Sequence, residues 1–436
     1  MEKFFSDKVL LRGEEAEKIY AEIKDLPIID FHCHLDEKKI EANSAFSNIG
    51  ELWLAGDHYK WRAMRLCGVD EHFITGDASY EEKFFKYAEI LPLLVGSPVY
   101  HWTHFELKEI FGINEPLDKV SAPRIWKKAN EVLKSVRVRD LLKKFRVQYV
   151  ATTDDPLSPL ASHGKYDDTT VAPTFRPDKL LTMDLVYIAK LGNVKTLSKL
   201  KDAVRARLDH FQSKGGKLAD VGFDFIPKAN VTEEEAAEIY ESGDESRKAE
   251  YFSYMLGFLA SELCKRGMIL QLHIGTFRNV NEKLYAKCGA DAGFDVMRTQ
   301  IDVDALAALF NDWSGKDALP VTILYPLNDS VLRPLTTLSG AFRRVYVGAA
   351  WWFNDTKEGV LRQLETVSQF AALGTNFGMV SDSRSFSSYV RFDFFRRILA
   401  SYLGGLVCSG EYPLEAAVTV AKKISYYNIK EALGLR

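Results

Sequence analysis

The chain has 436 residues, 47% hydrophobic and 27% charged, with 57 Lys plus Arg against 60 Asp plus Glu for a net charge of −3. This is the composition of a soluble globular protein. The two signs of charge are interspersed, which argues against a dominant nucleic-acid surface, and no run reaches the roughly 18 uninterrupted apolar residues of a membrane span. The length allows more than one domain, yet it also lies within the range of a single (β/α)8 barrel, and one large core is expected. Five scattered cysteines (Cys33, Cys67, Cys264, Cys288 and Cys408) include no CxxC pair, so disulfides and cysteine zinc sites are not expected. The opening MEKFFSDKVLLRGEEAEKIY lacks the long apolar core and small-residue cleavage site of a signal peptide, and a cytoplasmic location is the expectation.

Residues 14–25 read as an amphipathic helix that Leu26-Pro27 breaks. The next stretch, IIDFHCHLD (28–36), reads as a strand. Its two-residue alternation puts Asp30, His32 and His34 on one face and Phe31 and Cys33 on the other. A lone histidine there would more often be an ordinary buried residue. Two on one face of a strand have the spacing that a metal requires.

Strand-and-helix alternation then stops for more than a hundred residues, and helical patterns follow at 57–67, 80–91, 103–111, 122–134 and 138–145. The expected organisation is an N-terminal helix and first strand (1–36), a helical insertion over the barrel mouth (37–146), and the rest of the barrel with C-terminal helices (147–436). Within the insertion, DHYKWRAMRLCGV (57–69) has Asp57 as N-cap and Gly68 as stop, around a short helix carrying His58, Tyr59, Trp61, Arg62 and Arg65. Taken alone it reads most simply as an amphipathic helix with Trp61 and Met64 packed and its basic residues in water. His72, His101 and His104 have no partner at ligand spacing and read as structural or exposed.

From residue 147 apolar runs recur: 147–155, 171–178, 218–226, 268–275, 321–328, 344–353 and 377–384. Helical patterns lie between most of them, at 183–213, 232–241, 248–266, 302–311 and 358–373. With the first strand these make eight, and near-continuous apolar strands joined largely by helices favour a parallel (β/α)8 barrel of the TIM type. No Gly-rich phosphate fingerprint follows any strand, which leaves a dinucleotide-binding sheet little support. His273 ends MILQLHIG, and FGMVSDSR places Asp382 and Arg384 on one face; with His32 and His34, all lie at carboxyl ends of strands, where such barrels build active sites. Arg176, between Phe175 and Pro177, could grip a carboxylate through its fork or simply pair with Asp178 or with Asp154 and Asp155. Trp351 and Trp352 could stack on a sugar ring or cap the barrel.

The ordered motifs IIDFHCHLD, DHYKWRAMRLCGV, TTDDP, PTFRPD, QLHIGTFRN, VGAAWWFND and VSDSRSF together resemble the uronate (glucuronate) isomerases of the amidohydrolase superfamily, from about residue 5 to the C-terminus. The resemblance implies aldose–ketose isomerisation of D-glucuronate to D-fructuronate and of D-galacturonate to D-tagaturonate. It implies one divalent ion, zinc in most studied members, held by His32, His34 and Asp382, with His273 at the metal or substrate. Substrate contacts are implied for His58, Tyr59, Arg176, Trp351 and Arg384, which draws the 57–65 helix into the site.

The chemistry agrees, since moving a carbonyl from carbon 1 to carbon 2 requires a positioned acid/base pair and a cation near the two oxygens. The expectation is that Asp382 handles the hydroxyl proton and Tyr59 the carbon proton, while Arg384 and His58 ease charge on Tyr59. A direct hydride shift would use many of the same residues. The partners expected are a small hexuronate, no nucleic acid and no membrane. Exposed helical faces are compatible with a homo-oligomer, although no patch in the sequence marks an interface.

One position departs from the family. Members commonly carry Asp-His-Gly on the fourth strand, where this chain has Asp220, Val221 and Gly222. A hydrolase of the same superfamily would usually add a lysine within the fourth strand or a histidine ending the sixth, and neither is present. A silent sugar-binding barrel would be expected to lack a ligand, and every ligand position is filled.

Overall fold

A computed structural model describes residues 4–223, 225–298 and 301–435. Residue 224, within the expected fourth strand, and residues 1–3 and 436, at the ends of the expected divisions, lie outside the described residues. Seven parallel strands run in sequence order: β1 (Ile28–Asp30), β2 (Val147–Asp154), β3 (Thr169–Phe175), β4 (Leu218–Phe223), β5 (Ile269–Ile274), β6 (Thr322–Pro326) and β7 (Val345–Val347). A short strand, Gly164–Tyr166, adds antiparallel to β3.

The eighth expected strand, 377–384, is extended but forms no ladder. Gly378 and Asp382 sit at φ +77° and +46°, left-handed conformations that interrupt a regular strand. The segment nevertheless closes the barrel between β7 and β1. The Asp382 N–H donates to the His32 carbonyl (3.1 Å), the His34 N–H to the Ser383 carbonyl (2.9 Å), and the Asn376 side-chain amide to the Val347 carbonyl (3.0 Å). Buried Asp30 accepts from the Ser381 N–H (2.9 Å) and hydroxyl (2.5 Å), fastening the same seam. The seam also needs a glycine at 378, where a Cβ would lie 2.3 Å from the Ile424 carbonyl oxygen.

Two expected elements are shorter than the sequence pattern suggested. The run 344–353 keeps only three ladder residues, because Trp352 adopts φ +53° and the chain turns into a short 3-10 helix. The pattern 183–213 splits into Leu185–Ile188 and Leu197–Ser213, separated by Gly192 at φ +109° and restarted by a Thr196 cap.

Between β1 and β2 lie seven helices, among them His58–Leu66, Tyr80–Ile90, Pro98–Phe111 and Ala122–Leu133. Their buried faces share one core with Val390–Cys408. The N-terminal helix Glu14–Ile23 packs on that C-terminal helix so closely that a Cβ on Gly404 would lie 2.6 Å from the Ala16 nitrogen. Inside the barrel Phe31, Tyr149, Ile323, Tyr325 and Trp351 pack together, while the outer strand faces bury Val221, Leu270, Leu272 and Leu324 against the barrel helices.

His104 is structural, and its tautomer is fixed. Nδ1 donates to the Tyr100 carbonyl (2.8 Å) while Nε2 accepts from the Leu117 N–H (3.1 Å), among Phe4, Phe5 and Tyr100. Burial pushes its pKa down to about 4 from the ordinary 6.5. Stability from this group is therefore full above pH 6.5, where neither state is protonated. It falls as the unfolded state takes up a proton between pH 6.5 and 4, by about 3 kcal/mol in all. Urea unfolding of His104→Gln should show a shallower loss across that window than the parent chain; equal slopes would contradict the assignment.

Candidate active site

The site lies at the carboxyl ends of the strands, and strand alternation selects its residues. On β4, Leu218, Asp220 and Gly222 face inward; on β5, Ile269, Gln271 and His273 do. His32 and His34 follow β1, and Asp382 arrives on the seam segment. These three residues each bring a ligand atom within 4.8 Å of the others, and His32, Asp220 and His273 form a second group within the same limit.

His32 is 1% exposed, and neither ring nitrogen has a hydrogen-bond partner; the same holds for His273 Nε2. His32 Nε2 and His34 Nε2 each lie 3.3 Å from one oxygen, Asp382 Oδ1. Buried imidazole nitrogens left unpaired around one carboxylate oxygen are what a divalent cation would satisfy, and two histidines plus a carboxylate are a donor set suited to zinc. The residues present therefore fit a single metal ion.

Electrostatics follow from burial and these neighbours. Burial lowers the His34 pKa to about 4 and sends that of His273 well below its usual value. Burial also opposes charge on His32, but the Asp382 carboxylate beside Nε2 and the Asp220 charge outweigh it and hold its pKa up. For Asp382 burial is overcome by His32 and His34, which keep the carboxyl well below the usual range.

The surrounding cavity, about 660 Å³, is lined by His58, Arg176, Lys179, Arg278, Trp351 and Arg384 as well as the histidines. These four cations against three carboxylates in the same lining, Asp178, Asp291 and Asp382, leave a positive excess that favours an anionic ligand. Arg176 gives Nε to Asp178 (2.8 Å) and Nη1 to Asp220 (3.1 Å), realising one of the ion pairs its position allowed. Its Nη2 makes no hydrogen bond among the described residues. Arg384 Nη2 meets Asp291 (2.8 Å), which also faces Arg278 at 3.7 Å. Trp351 is buried with its ring centroid 4.5 Å from that of His273.

The helix His58–Leu66 does reach the site. Asp57 caps it, and Arg62 and Arg65 donate to the carbonyls of Gly293, Asp295 and Ala292 in the loop after β5. Tyr59 consequently brings its hydroxyl to 3.5 Å from Asp382 Oδ2. The cation facing Tyr59 is Arg391, whose guanidinium lies 4.9 Å from the ring centroid; Arg384 is engaged with Asp291 instead.

Sequence reasoning did not find Arg391 or Asp291, which stand in a helix and a loop with no local motif, and gave no role to Arg278 or Asp355, although both lie within the quoted motifs QLHIGTFRN and VGAAWWFND. The Val221 departure loses its force, because Val221 points outward into the core between strands and helices. Two-residue alternation from the inward Asp220 already places position 221 on that outer face.

A parallel barrel with a His-x-His pair and an aspartate meeting at its carboxyl ends, beneath a cationic cavity, defines a barrel enzyme of the amidohydrolase type. A family model described as glucuronate isomerase matches residues 1–433. The chain is 40% identical to the uronate isomerase of Caldicellulosiruptor saccharolyticus over 463 aligned positions, covering 100% of both. Its structure is similar to the crystal structures of uronate isomerase from Thermotoga maritima (TM-score 0.96, 31% identity, 99% of this chain and 100% of that one) and glucuronate isomerase from Caulobacter crescentus (TM-score 0.92, 26% identity, 99% and 97%). The chain belongs to the glucuronate isomerase family and is an isomerase. No helix among the described residues is long and apolar enough to cross a membrane.

Proposed function

We propose that this chain interconverts aldo- and keto-hexuronates in the cytoplasm, D-glucuronate with D-fructuronate and D-galacturonate with D-tagaturonate, by proton transfer through an enediol. The observation that carries this reading is the meeting of His32, His34 and Asp382 in a cavity lined by Arg176, Arg278 and Arg384, with the Tyr59 hydroxyl 3.5 Å from Asp382 Oδ2. His32, His34 and Asp382 would hold one divalent ion, zinc by donor type, with His273 beside it; such an ion supplies Lewis acidity next to the two oxygens that exchange carbonyl character.

The chain's own groups do the rest. Arg176 grips the uronate carboxylate through its unengaged nitrogen, and Trp351 walls the sugar. Tyr59 passes its hydroxyl proton to Asp382, takes the proton from carbon 2 and later gives it to carbon 1; Asp382 delivers a proton to oxygen 1, then takes the oxygen-2 proton and returns it to Tyr59, leaving a ketone at carbon 2 and a hydroxymethyl group at carbon 1. His58 and Arg384, both lining the cavity, oppose the build-up of negative charge. The segment 37–146 serves as the cover of the barrel mouth, since it delivers His58 and Tyr59.

The test is proton NMR of the purified enzyme with D-glucuronate in deuterium oxide, before and after metal removal with a chelator. Ketose bearing solvent deuterium at carbon 1 is expected, with turnover lost on chelation and regained with zinc. Ketose that never carries label would turn the mechanism toward hydride shift, and no ketose from either hexuronate by the metal-loaded enzyme would overturn the function.

A further inference from the structure

Between β5 and the helix Val303–Gly315 the chain makes a strap whose base is the antiparallel pairing of Thr276–Phe277 with Val296–Met297. The strap is pressed onto the helix that carries His58 and Tyr59. Arg62 and Arg65 donate to its carbonyls, and a Cβ on Gly293 would lie 3.0 Å from the His58 carbonyl oxygen. Asp291, on the same strap at φ +58°, is thereby placed in the lining of the cationic cavity.

There it faces two cations unequally. Its Oδ2 accepts from Arg384 Nη2 at 2.8 Å, while its Oδ1 lies 3.7 Å from Arg278 Nη1. Arg278 has a nearer partner within the strap, Asp295 Oδ2 at 3.0 Å. Arg384 has no ion pair other than Asp291 among the described residues. Burial opposes charge on Asp291, but Arg384 outweighs it and keeps the carboxyl below its ordinary range, so the group is ionised at neutral pH. The Asp291 and Arg384 side chains are nonetheless 45% and 34% exposed, and an ion pair this open is weak enough for another anion to compete with it.

Resting on the isomerase reading above, we propose that Asp291 is the resident counter-ion of Arg384 in the free enzyme and competes with incoming anions for it, which makes position 291 a specificity-determining residue. A small inorganic anion offers the cavity charge alone, and Asp291 already supplies charge to Arg384. A hexuronate also offers a carboxylate to Arg176 and hydroxyls to the rest of the site, so it outcompetes the resident group. The four cations of the lining face three carboxylates with Asp291 and two without it, so its removal should tighten the binding of anions and leave neutral polyols as they were.

The experiment compares Asp291→Asn with the wild type, both metal-loaded, by tryptophan fluorescence, since Trp351 and Trp352 line the cavity and Arg278 lies 5.1 Å from the Trp352 ring centroid. Asparagine keeps the size and tolerates the left-handed backbone. Three probes that undergo no turnover are titrated: inorganic sulfate, D-gluconate and the neutral D-sorbitol. Sulfate should bind the variant about fivefold more tightly and D-gluconate about threefold, with D-sorbitol unchanged and the KM for D-glucuronate lowered about threefold. Sulfate affinity equal to or below that of the wild type would overturn the proposal. So would a gain shared equally by D-sorbitol, because that marks a change in the shape of the strap and not in charge. If the Asn variant does not fold, Asp291→Gly removes the same carboxylate without backbone strain and is read in the same way. The titrations need no turnover, so a wild type that makes no ketose overturns the parent reading while the sulfate result still decides the counter-ion role.

Discussion

Asp382→Asn should lower turnover by about a thousandfold or more, because this one side chain serves both the histidine pair and Tyr59. Its Oδ1 is shared by His32 and His34 at 3.3 Å each, and its Oδ2 receives the Tyr59 hydroxyl at 3.5 Å. Asparagine is the informative replacement. Asp382 holds φ +46°, a conformation that Asn tolerates nearly as well as Asp, so the backbone seam should survive where alanine would add strain. What changes is charge, and an amide is a poor metal ligand beside two neutral imidazoles. Zinc per chain, measured by mass spectrometry after dialysis, should fall with activity while the far-ultraviolet circular dichroism spectrum stays that of the parent. Full zinc occupancy with turnover within tenfold of the parent would remove Asp382 from the ligand set.

Arg391→Met should cost about 3–5 kcal/mol of stability, the largest single loss expected outside the apolar core. Methionine replaces much of the volume and none of the charge. The guanidinium is 1% exposed, donates to the Ser381 carbonyl at 2.9 Å, stacks 3.9 Å from the Trp102 ring centroid and lies 3.9 Å from Asp57. Around it Lys60 meets Asp57 at 2.7 Å and Glu106 at 3.9 Å, so its removal leaves buried carboxyls with one cation fewer. The loss should appear as a lower urea midpoint at unchanged m. A shift equivalent to less than about 1 kcal/mol would mean that the cluster relaxes by taking up a proton, with Glu106, whose pKa burial already raises, as the group that accepts it.

The same cluster shows why part of the site was legible in the sequence and part was not. His32 and His34 announce themselves through spacing on a strand, and His273, Asp382 and Arg384 through their place at the ends of apolar runs. Each signal is local, set by the two-residue repeat of an extended chain. Tyr59 and His58 carried no such signal, because their helix is equally well explained as a packed amphipathic segment; only the family resemblance drew them in. Arg391 carried none at all. It is separated from Tyr59 in sequence by hundreds of residues, and its meaning comes from burial beside that ring.

The sequence by itself determined the parallel barrel, the helices between its first two strands, the histidine pair and the family, because hydrophobic period, caps and ordered motifs are properties of short stretches of chain. It also contained, in the alternation of Asp220 and Val221, the answer to its own apparent departure. Tertiary structure alone decided that the eighth stave closes the barrel through a handful of hydrogen bonds around two left-handed residues, that Arg384 is engaged by Asp291, and that Arg391 is the cation facing Tyr59. Those outcomes depend on which distant groups share a buried volume. Spacing along a chain does not encode that, since charge pairing and burial act through space.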